Sequence, residues 1–418
     1  MHNGILKSEF AKNISKLVAG AAIAQAIPFF VAPVLTRIYS PSDFGFFSIF
    51  MSIAAGITVI CTARYDLAIV LPKNNDDAQK LIALSFFICL FVSFFSFILI
   101  TIIMFFENIP IYFFLVPLFV FTIGFNQIFM YWNNRIKQYK QISSNRINNA
   151  IYGNASMLGL GFLKTGIIGL IIGTYIGVII STFVFVRKDL KQLFKNIRAF
   201  KYSEIKKIAI HYKDMPKTNI IQAVIDMYQL NGLVYLIPFF FSSTILGLYS
   251  FGMRILQAPV SLIGSSIAQV FYQNASEKYN NNENIYSLVK GTVKKAAIIA
   301  LPLPILLLFA GEDLFAFVFS EKWRVAGLYA KILSPWIYFD FIRMTISQTP
   351  IILNKQKQLA SISVFGSLII TLSVLYAGII EKNIIIGFYS ISILFSLLNI
   401  FIIYWICIIT KRNLKTKN

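Results

Sequence analysis

Cysteine and histidine are scarce in this sequence. Its three cysteines, Cys61, Cys89 and Cys407, lie inside apolar runs and far apart along the chain. A disulfide framework or a cysteine-ligated metal site is therefore not expected. The only histidines are His2 and His211, which leaves little scope for histidine-based catalysis or zinc ligation. The sequence predicts no metal and no cofactor.

Charge is scarce as well. Charged residues make up 13% of the 418 residues and hydrophobic residues 57%, with a mean hydropathy of +0.72. Globular domains are about 25% charged and about 45–50% apolar, so this composition indicates a membrane protein. The net charge of +21 would suggest nucleic-acid binding in a soluble protein. Here the basic residues lie in short loops beside apolar runs, so orientation in a membrane explains them and no nucleic-acid partner is predicted.

Apolar runs long enough to cross a bilayer fill nearly the whole chain. A span needs about 20 apolar residues, because roughly 30 Å of hydrocarbon is crossed at about 1.5 Å per residue. We place spans near residues 14–36, 44–63, 81–106, 110–131, 147–163, 166–186, 218–241, 246–271, 293–311, 326–352, 359–380 and 384–410. The predicted fold class is therefore an all-α polytopic membrane protein with about 12 transmembrane helices.

The basic residues alternate between the gaps that separate these spans. Most of the 38 Lys and Arg residues lie at the two termini and in every second loop. The remaining loops, such as the one near residues 311–326, carry few basic residues and several acidic ones. Because basic residues near helix ends are retained in the cytoplasm, both termini are predicted to be cytoplasmic in a bacterial plasma membrane.

The basic loop near residues 187–217 separates two halves of the chain. Between Asp189 and Tyr212, Ile and Leu recur at roughly helical spacing with Lys and Arg between them. This pattern predicts an amphipathic helix on an anionic inner leaflet, although a simple linker is an open alternative. The predicted domains are an N-terminal six-helix lobe (residues 1–186), this linker (187–217) and a C-terminal six-helix lobe with a basic tail (218–418).

The two halves share a short internal repeat. The segment SDFGFFS (residues 42–48) aligns with TILGLYS (residues 244–250), and both lie at the outer turn that follows the first span of their half. An even number of spans per half gives the two repeats the same orientation in the membrane. Two parallel six-helix lobes around a central cavity are the predicted arrangement, which is typical of transporters.

Several charged residues lie inside the predicted spans, where each costs about 2.5–3.5 kcal/mol on insertion scales. Arg254 in a wet cavity would bind phosphate by paired hydrogen bonds, but it could also reach the outer headgroups. The other candidate substrate-binding cations are Arg343, Lys331 and Arg64, and the candidate ion-coupling carboxylates are Asp226 and Asp340. Simpler alternatives stay open: an Asp340–Arg343 ion pair, anchoring by Lys331 or Arg64, and pairing of Asp226, which has no evident local partner, with a neighbouring helix.

Three segments carry a resemblance to a known family. Residues 36–45 (TRIYSPSDFG), 64–72 (RYDLAIVLP) and 254–259 (RILQAP), the last followed by QVFY at 269–272, resemble motifs of bacterial O-antigen and capsule flippases. These are Wzx-type polysaccharide exporters of the multidrug/oligosaccharidyl-lipid/polysaccharide (MOP) superfamily. The likeness is clear over spans 1–3 and 6–8 and rests on topology elsewhere.

The resemblance implies a transporter of the O-antigen, lipopolysaccharide or capsule pathway. Such a protein flips oligosaccharide repeat units linked to undecaprenyl pyrophosphate from the inner to the outer leaflet by alternating access, with H⁺ or Na⁺ coupling. Implied partners are this substrate, membrane lipids, a polysaccharide polymerase and a chain-length regulator. The alternatives are a drug/cation antiporter of the same superfamily, or a membrane-embedded polymerase or glycosyltransferase. The outer gaps are too short for a catalytic domain, so no enzyme is expected.

Overall fold

The described part of the chain is helical throughout. The computed structural model describes residues 2–187 and 200–415. Its α-helices are α1 (His2–Ile38), α2 (Pro41–Ile60), α3 (Asn75–Phe106), α4 (Val116–Arg135), α5 (Tyr139–Phe162), α6 (Ile167–Val186), α7 (Tyr202–His211), α8 (Asp214–Phe240), α9 (Ser243–Asn280), α10 (Tyr286–Ala300), α11 (Pro302–Phe319), α12 (Arg324–Thr345), α13 (Thr349–Ile352), α14 (Gln356–Leu375) and α15 (Ile384–Lys415). The all-α polytopic fold predicted from the sequence is confirmed.

The long helices correspond to the predicted spans. In the part of the chain that the structure describes, ten helical segments are long and apolar enough to cross a membrane, with α10 and α11 counted as one. Helices α5 and α12 account for the fifth and tenth predicted spans, although neither is among those ten. The tenth span was placed too far along the chain, because α12 ends at Thr345 and a separate short helix, α13, follows.

Local sequence signals fix where several helices begin. Ser40 precedes α2, and its backbone N–H and hydroxyl both donate to Asp43 Oδ2 while its Oγ accepts from the Asp43 N–H. Pro41 then takes the first helical position, where its missing N–H costs nothing. Asn74 Oδ1 accepts from Asp77 N at the start of α3, and Ser242 Oγ accepts from Ile245 N at the start of α9.

The chain forms two compact units. The first comprises the described residues of Met1–Val31 and Phe46–Tyr228, and the second those of Ala32–Gly45 and Gln229–Asn418. Helices α1, α2 and α8 each contribute residues to both units. The lobe boundaries inferred from the sequence, at residues 186 and 218, stay a prediction.

Helix α7 packs onto the first unit. Ile208 on α7 is buried in a core that also contains Tyr65, Leu81 and Phe129, and the Tyr65 hydroxyl donates to Ala209 O at 3.1 Å. A helix is present at residues 202–211 of the predicted amphipathic segment, and Ile208 in it contacts protein. Its placement on an inner leaflet stays a prediction. Residues 188–199 of that prediction lie outside the described residues.

The second unit is organised around α12, which packs against α9, α10, α11 and α15. The turn after α1 and the first residues of α2 also belong to this unit. Phe44, near the start of α2, contacts Phe251 and Trp323, with ring centroids 5.5 and 5.2 Å apart. Trp323 is fully buried, and its Nε1 donates to Thr36 O at 3.0 Å. Because other helices pack around α12, this helix can carry charged residues and needs less apolar surface of its own.

The two glycines at equivalent positions of the predicted repeat lie against each other's turns. A methyl group at Gly45 would overlap the backbone oxygen of Ser243, and one at Gly247 would overlap that of Pro41. The Ser42 and Ser243 hydroxyls are 2.9 Å apart. Only glycine permits this close approach of two backbones. This contact explains why both copies of the repeat carry glycine at this position.

Candidate functional site

Arg254 lies on α9, about 16 Å along the helix from its start at Ser243. Two residues earlier, Gly252 faces the backbone of Ala326 on α12. Because consecutive residues are about 100° apart around a helix, Arg254 points away from α12. Its side chain is exposed, and among the described residues it has no hydrogen-bond partner and no ion pair. The structure therefore leaves a free guanidinium within an apolar helix.

The candidate charges on α12 all have local partners. Arg343 donates to Asp340 Oδ1 from Nη2 at 2.5 Å and from Nε at 3.1 Å. The ion pair considered from their spacing is therefore present, and both side chains are half-buried. Lys331 Nζ lies 4.0 Å from Glu312 Oε1 on α11. A role of these residues in binding substrate or ions stays a prediction.

Asp226 lies on α8 in the first unit. The expectation that it lacks a local partner is wrong, because Gln222 Nε2 donates to Asp226 Oδ1 at 2.9 Å. The two residues are one helical turn apart and both are exposed. Gln222 is a neutral partner and Asp226 is exposed, so the proposed ion-coupling role of Asp226 remains open to test.

Asp66 is the buried carboxyl group that the sequence did not single out. It lies in the 3₁₀ helix Tyr65–Val70 and is fully buried. Thr62 Oγ1 donates to its Oδ1 at 2.6 Å, and Gln127 Nε2 donates to its Oδ2 at 2.7 Å. Burial raises the pKa of Asp66 above its ordinary value, while these hydrogen bonds and nearby Arg64 act in the opposite direction.

The segment that carries Asp66 is held in place by Arg135 at the end of α4. The Arg135 guanidinium donates to Ile69 O, Pro72 O and Asn74 O at 2.8–3.2 Å. Two of these bonds satisfy backbone oxygens of the segment 64–72, which was one of the motifs quoted above, and the third reaches Asn74, two residues beyond it. Arg64, at its start, has φ 62° and a buried Nε that has no partner within the described chain. A structural role explains much of this motif.

We predict that Asp66→Asn reduces the pH dependence of stability. A carboxyl whose folded pKa is raised binds its proton more tightly in the folded state, so its stabilising contribution is greatest below the unfolded pKa of about 3.9. That contribution is lost as the pH rises through the folded pKa. Thermal unfolding of the purified protein from about pH 4, near the unfolded pKa, to about pH 9 should show a larger loss of stability with rising pH for the wild type than for Asp66→Asn. Equal losses would contradict the assignment.

The described residues offer no evident metal site. Among the residues whose side chains the structure describes, no group of three or more His, Cys, Asp or Glu side chains comes together. Each unit therefore carries its own candidate feature: the free Arg254 in the second unit and the Asp66 cluster in the first.

Comparison with known proteins gives both a family match and structural matches. Residues 34–327 match a family described as "Polysaccharide biosynthesis protein". No curated protein matches the chain.

Three solved structures of similar fold cover nearly the whole chain. The chain is similar to a multidrug resistance MATE family transporter of the MOP superfamily in its inward-facing conformation, with 14% identity, a TM-score of 0.60 and 96% of each chain covered. It is also similar to a mutant of the Vibrio cholerae MATE transporter VcmN, at 13% identity, TM-score 0.56 and 98% of each chain. A MOP superfamily transporter from Pyrococcus furiosus, titled as having a binding pocket of reverse polarity, matches at 13% identity, TM-score 0.54 and 96% of each chain. These likenesses establish the fold that the sequence predicted.

Proposed function

Since the chain belongs to the polysaccharide biosynthesis protein family and has the fold of MOP superfamily transporters, we propose that it translocates lipid-linked oligosaccharides across a membrane. The proposed substrate is a repeat unit linked to undecaprenyl pyrophosphate, moved from the inner to the outer leaflet by alternating access. The product would serve O-antigen, lipopolysaccharide or capsule assembly, where a polymerase and a chain-length regulator act on it.

The free guanidinium of Arg254 supports this proposal most directly. An arginine within an apolar helix costs about 2.5–3.5 kcal/mol on insertion scales unless it is compensated. Lys331 and Arg343 have carboxylates nearby, but Arg254 has none among the residues that the structure describes. A pyrophosphate offers the paired acceptor oxygens that a guanidinium binds best. Arg254 is therefore assigned to the anionic part of the substrate.

The proposed direction of transport depends on the orientation of the chain. The basic loops predict that both termini lie in the cytoplasm of a bacterial inner membrane. Single cysteines at Asn282 and Lys322, in a chain otherwise free of cysteine, test this. An impermeant thiol reagent should label Lys322→Cys in intact cells, and Asn282→Cys only after permeabilisation. The opposite pattern would reverse the proposed direction.

A drug/cation antiporter is the second candidate, because two of the structures of similar fold are MATE transporters. A cation substrate needs free carboxylates. Asp340 and Glu312 each have a basic neighbour, so this alternative depends on Asp226, whose hydrogen-bond partner is the neutral Gln222. A polymerase or glycosyltransferase finds no support in a fold that is shared with transporters.

Deletion of the gene separates these functions. A flippase mutant should lose surface polysaccharide and accumulate complete lipid-linked repeat units that an impermeant lectin cannot reach in intact cells. Accumulation of incomplete or unpolymerised units on the outer face would indicate an enzyme instead. Normal surface polysaccharide would contradict the proposal.

A further inference from the structure

A cavity of about 460 Å³ lies between α4 and α5, within the first unit. Its polar lining consists of Asn126, Gln127, Tyr131, Asn134 and Arg146, and the remaining lining residues are apolar. Its size falls in the range of about 300–1,000 Å³ that is usual for small-molecule pockets. On the proposed orientation, the cavity opens in the inner half of the membrane, where a substrate made in the cytoplasm would be loaded.

Two of the five polar residues are fixed by other side chains. Asn126 Nδ2 donates to Thr182 Oγ1 at 2.8 Å, and its Oδ1 accepts from Asn145 Nδ2 at 3.0 Å. Gln127 uses its amide nitrogen to donate to the buried Asp66. An amide held in this way presents its carbonyl oxygen as an acceptor, so Asp66 acts as a positioning residue for Gln127.

The other three polar residues are free to bind a ligand. Tyr131, Asn134 and Arg146 make no side-chain hydrogen bond and no ion pair within the described ranges. Gln127, Tyr131 and Asn134 are spaced four and three residues apart, so they share one face of α4. Arg146 approaches from α5 and adds a fixed positive charge.

This combination fits a sugar that carries a phosphate. Hydroxyl groups of a sugar both donate and accept hydrogen bonds, as an amide and a phenol do in return. The Tyr131 ring offers an apolar surface to the C–H face of the sugar, while Arg146 can bind a phosphate by charge-assisted hydrogen bonds. The Arg64 charge lies near Tyr131 and Asp66 and adds to the positive potential there.

We propose that the α4–α5 cavity binds a glycosyl phosphate through Arg146, Tyr131, Asn134 and Gln127. This site rests on the proposed function, and it would receive the sugar nearest to the pyrophosphate before translocation. The cavity lies in the first unit, and Arg254 lies on α9 in the second.

Binding of N-acetylglucosamine 1-phosphate to the full-length protein in nanodiscs, measured by isothermal titration calorimetry, tests this proposal. Arg146→Ala should weaken binding at least tenfold, and Tyr131→Phe should weaken it several-fold. Lys140→Ala is the matched control, because Lys140 is an exposed basic residue on α5 that does not line the cavity. It should bind as the wild type does. Arg146→Gln, which keeps hydrogen bonding without charge, provides a second variant if Arg146→Ala does not fold.

Two further probes identify which part of the ligand is recognised. Inorganic phosphate and methyl N-acetylglucosaminide should each bind at least tenfold more weakly than the sugar phosphate. If inorganic phosphate bound as tightly as the sugar phosphate, the proposed contacts to the sugar would be wrong. If the neutral glycoside bound as tightly as the sugar phosphate, the proposed role of Arg146 would be wrong. Unchanged affinity in folded Arg146→Ala or Arg146→Gln would overturn the cavity as the site.

The failure of this site can be distinguished from failure of the proposed function. If wild-type protein binds the sugar phosphate through Arg146 but moves no lipid-linked oligosaccharide, the proposed translocation is refuted. The proposed binding site in the cavity is then still supported. If wild-type protein transports lipid-linked oligosaccharide, and replacing Arg146 changes neither binding nor transport, the proposed binding site in the cavity is refuted. The proposed translocation is then still supported.

Discussion

Arg254→Ala is expected to reduce translocation of lipid-linked oligosaccharide by about 10–100-fold, while Arg254→Lys retains part of it. A hydrogen bond to a charged group contributes about 1.5–3 kcal/mol, and about 1.4 kcal/mol corresponds to a factor of ten. Lysine keeps the charge but cannot form the paired hydrogen bonds of a guanidinium, so an intermediate rate is expected. Surface polysaccharide in cells that express each variant at equal levels provides the measurement.

Lys278→Ala is the matched control for Arg254→Ala. Lys278 is also a basic residue on α9, but it lies near the far end of the helix and forms an ion pair with Glu283 at 2.5 Å. Its loss removes one positive charge from the same helix and should leave export unchanged. If Arg254→Ala also exports normally at normal protein levels, Arg254 contacts lipid headgroups and has no role in substrate binding.

Gly45→Ala is expected to destabilise the protein severely. A methyl group there would overlap the backbone oxygen of Ser243, and a backbone cannot move aside as a flexible side chain does. Inserting a methyl group into a packed site costs about 1–3 kcal/mol and sometimes more. The variant should accumulate poorly in membranes and unfold at a lower temperature than the wild type in detergent. Gly247→Ala should behave in the same way, because its neighbour is the Pro41 backbone oxygen.

Gly159→Ala separates this close contact from a general effect of replacing glycine. Gly159 lies on α5 with nothing within 4 Å of the position where a methyl group would be added. Alanine stabilises a helix by up to about 1 kcal/mol relative to glycine, so this variant should be as stable as the wild type or more stable. If Gly45→Ala matched Gly159→Ala in stability, the contact between the two repeat turns would not be as close as described.

The fold was largely predictable because membrane spans are recognised from local composition. Long apolar runs such as Asn75–Phe106 define a helix whatever surrounds them. The ends of α12 were harder to predict, since this helix is covered by α9, α10, α11 and α15 and needs less apolar surface of its own. The packing of Ile208 into protein rather than lipid was not predictable either, because an apolar helix face gives no sign of what covers it.

The candidate site was predictable only where its residues interact along one helix. The Asp340–Arg343 pair follows from a spacing of three residues, and the Gln222–Asp226 contact, which we missed, follows the same rule. The bond between Gln127 and Asp66 joins residues 61 positions apart. No local pattern in the sequence relates them. The cavity between α4 and α5 was hidden for the same reason, since Arg146 reaches it from a different helix than Tyr131 does.

The most direct test is translocation by the purified protein in proteoliposomes that carry a fluorescent oligosaccharide linked to undecaprenyl pyrophosphate. A membrane-impermeant glycosidase reports how much of the labelled sugar has crossed to the accessible leaflet. Wild-type protein should make the label cross within the time of the assay, and Arg254→Ala vesicles should resemble protein-free vesicles. Equal crossing with and without the wild-type protein would contradict translocation, and equal crossing by Arg254→Ala would contradict a guanidinium-bound pyrophosphate.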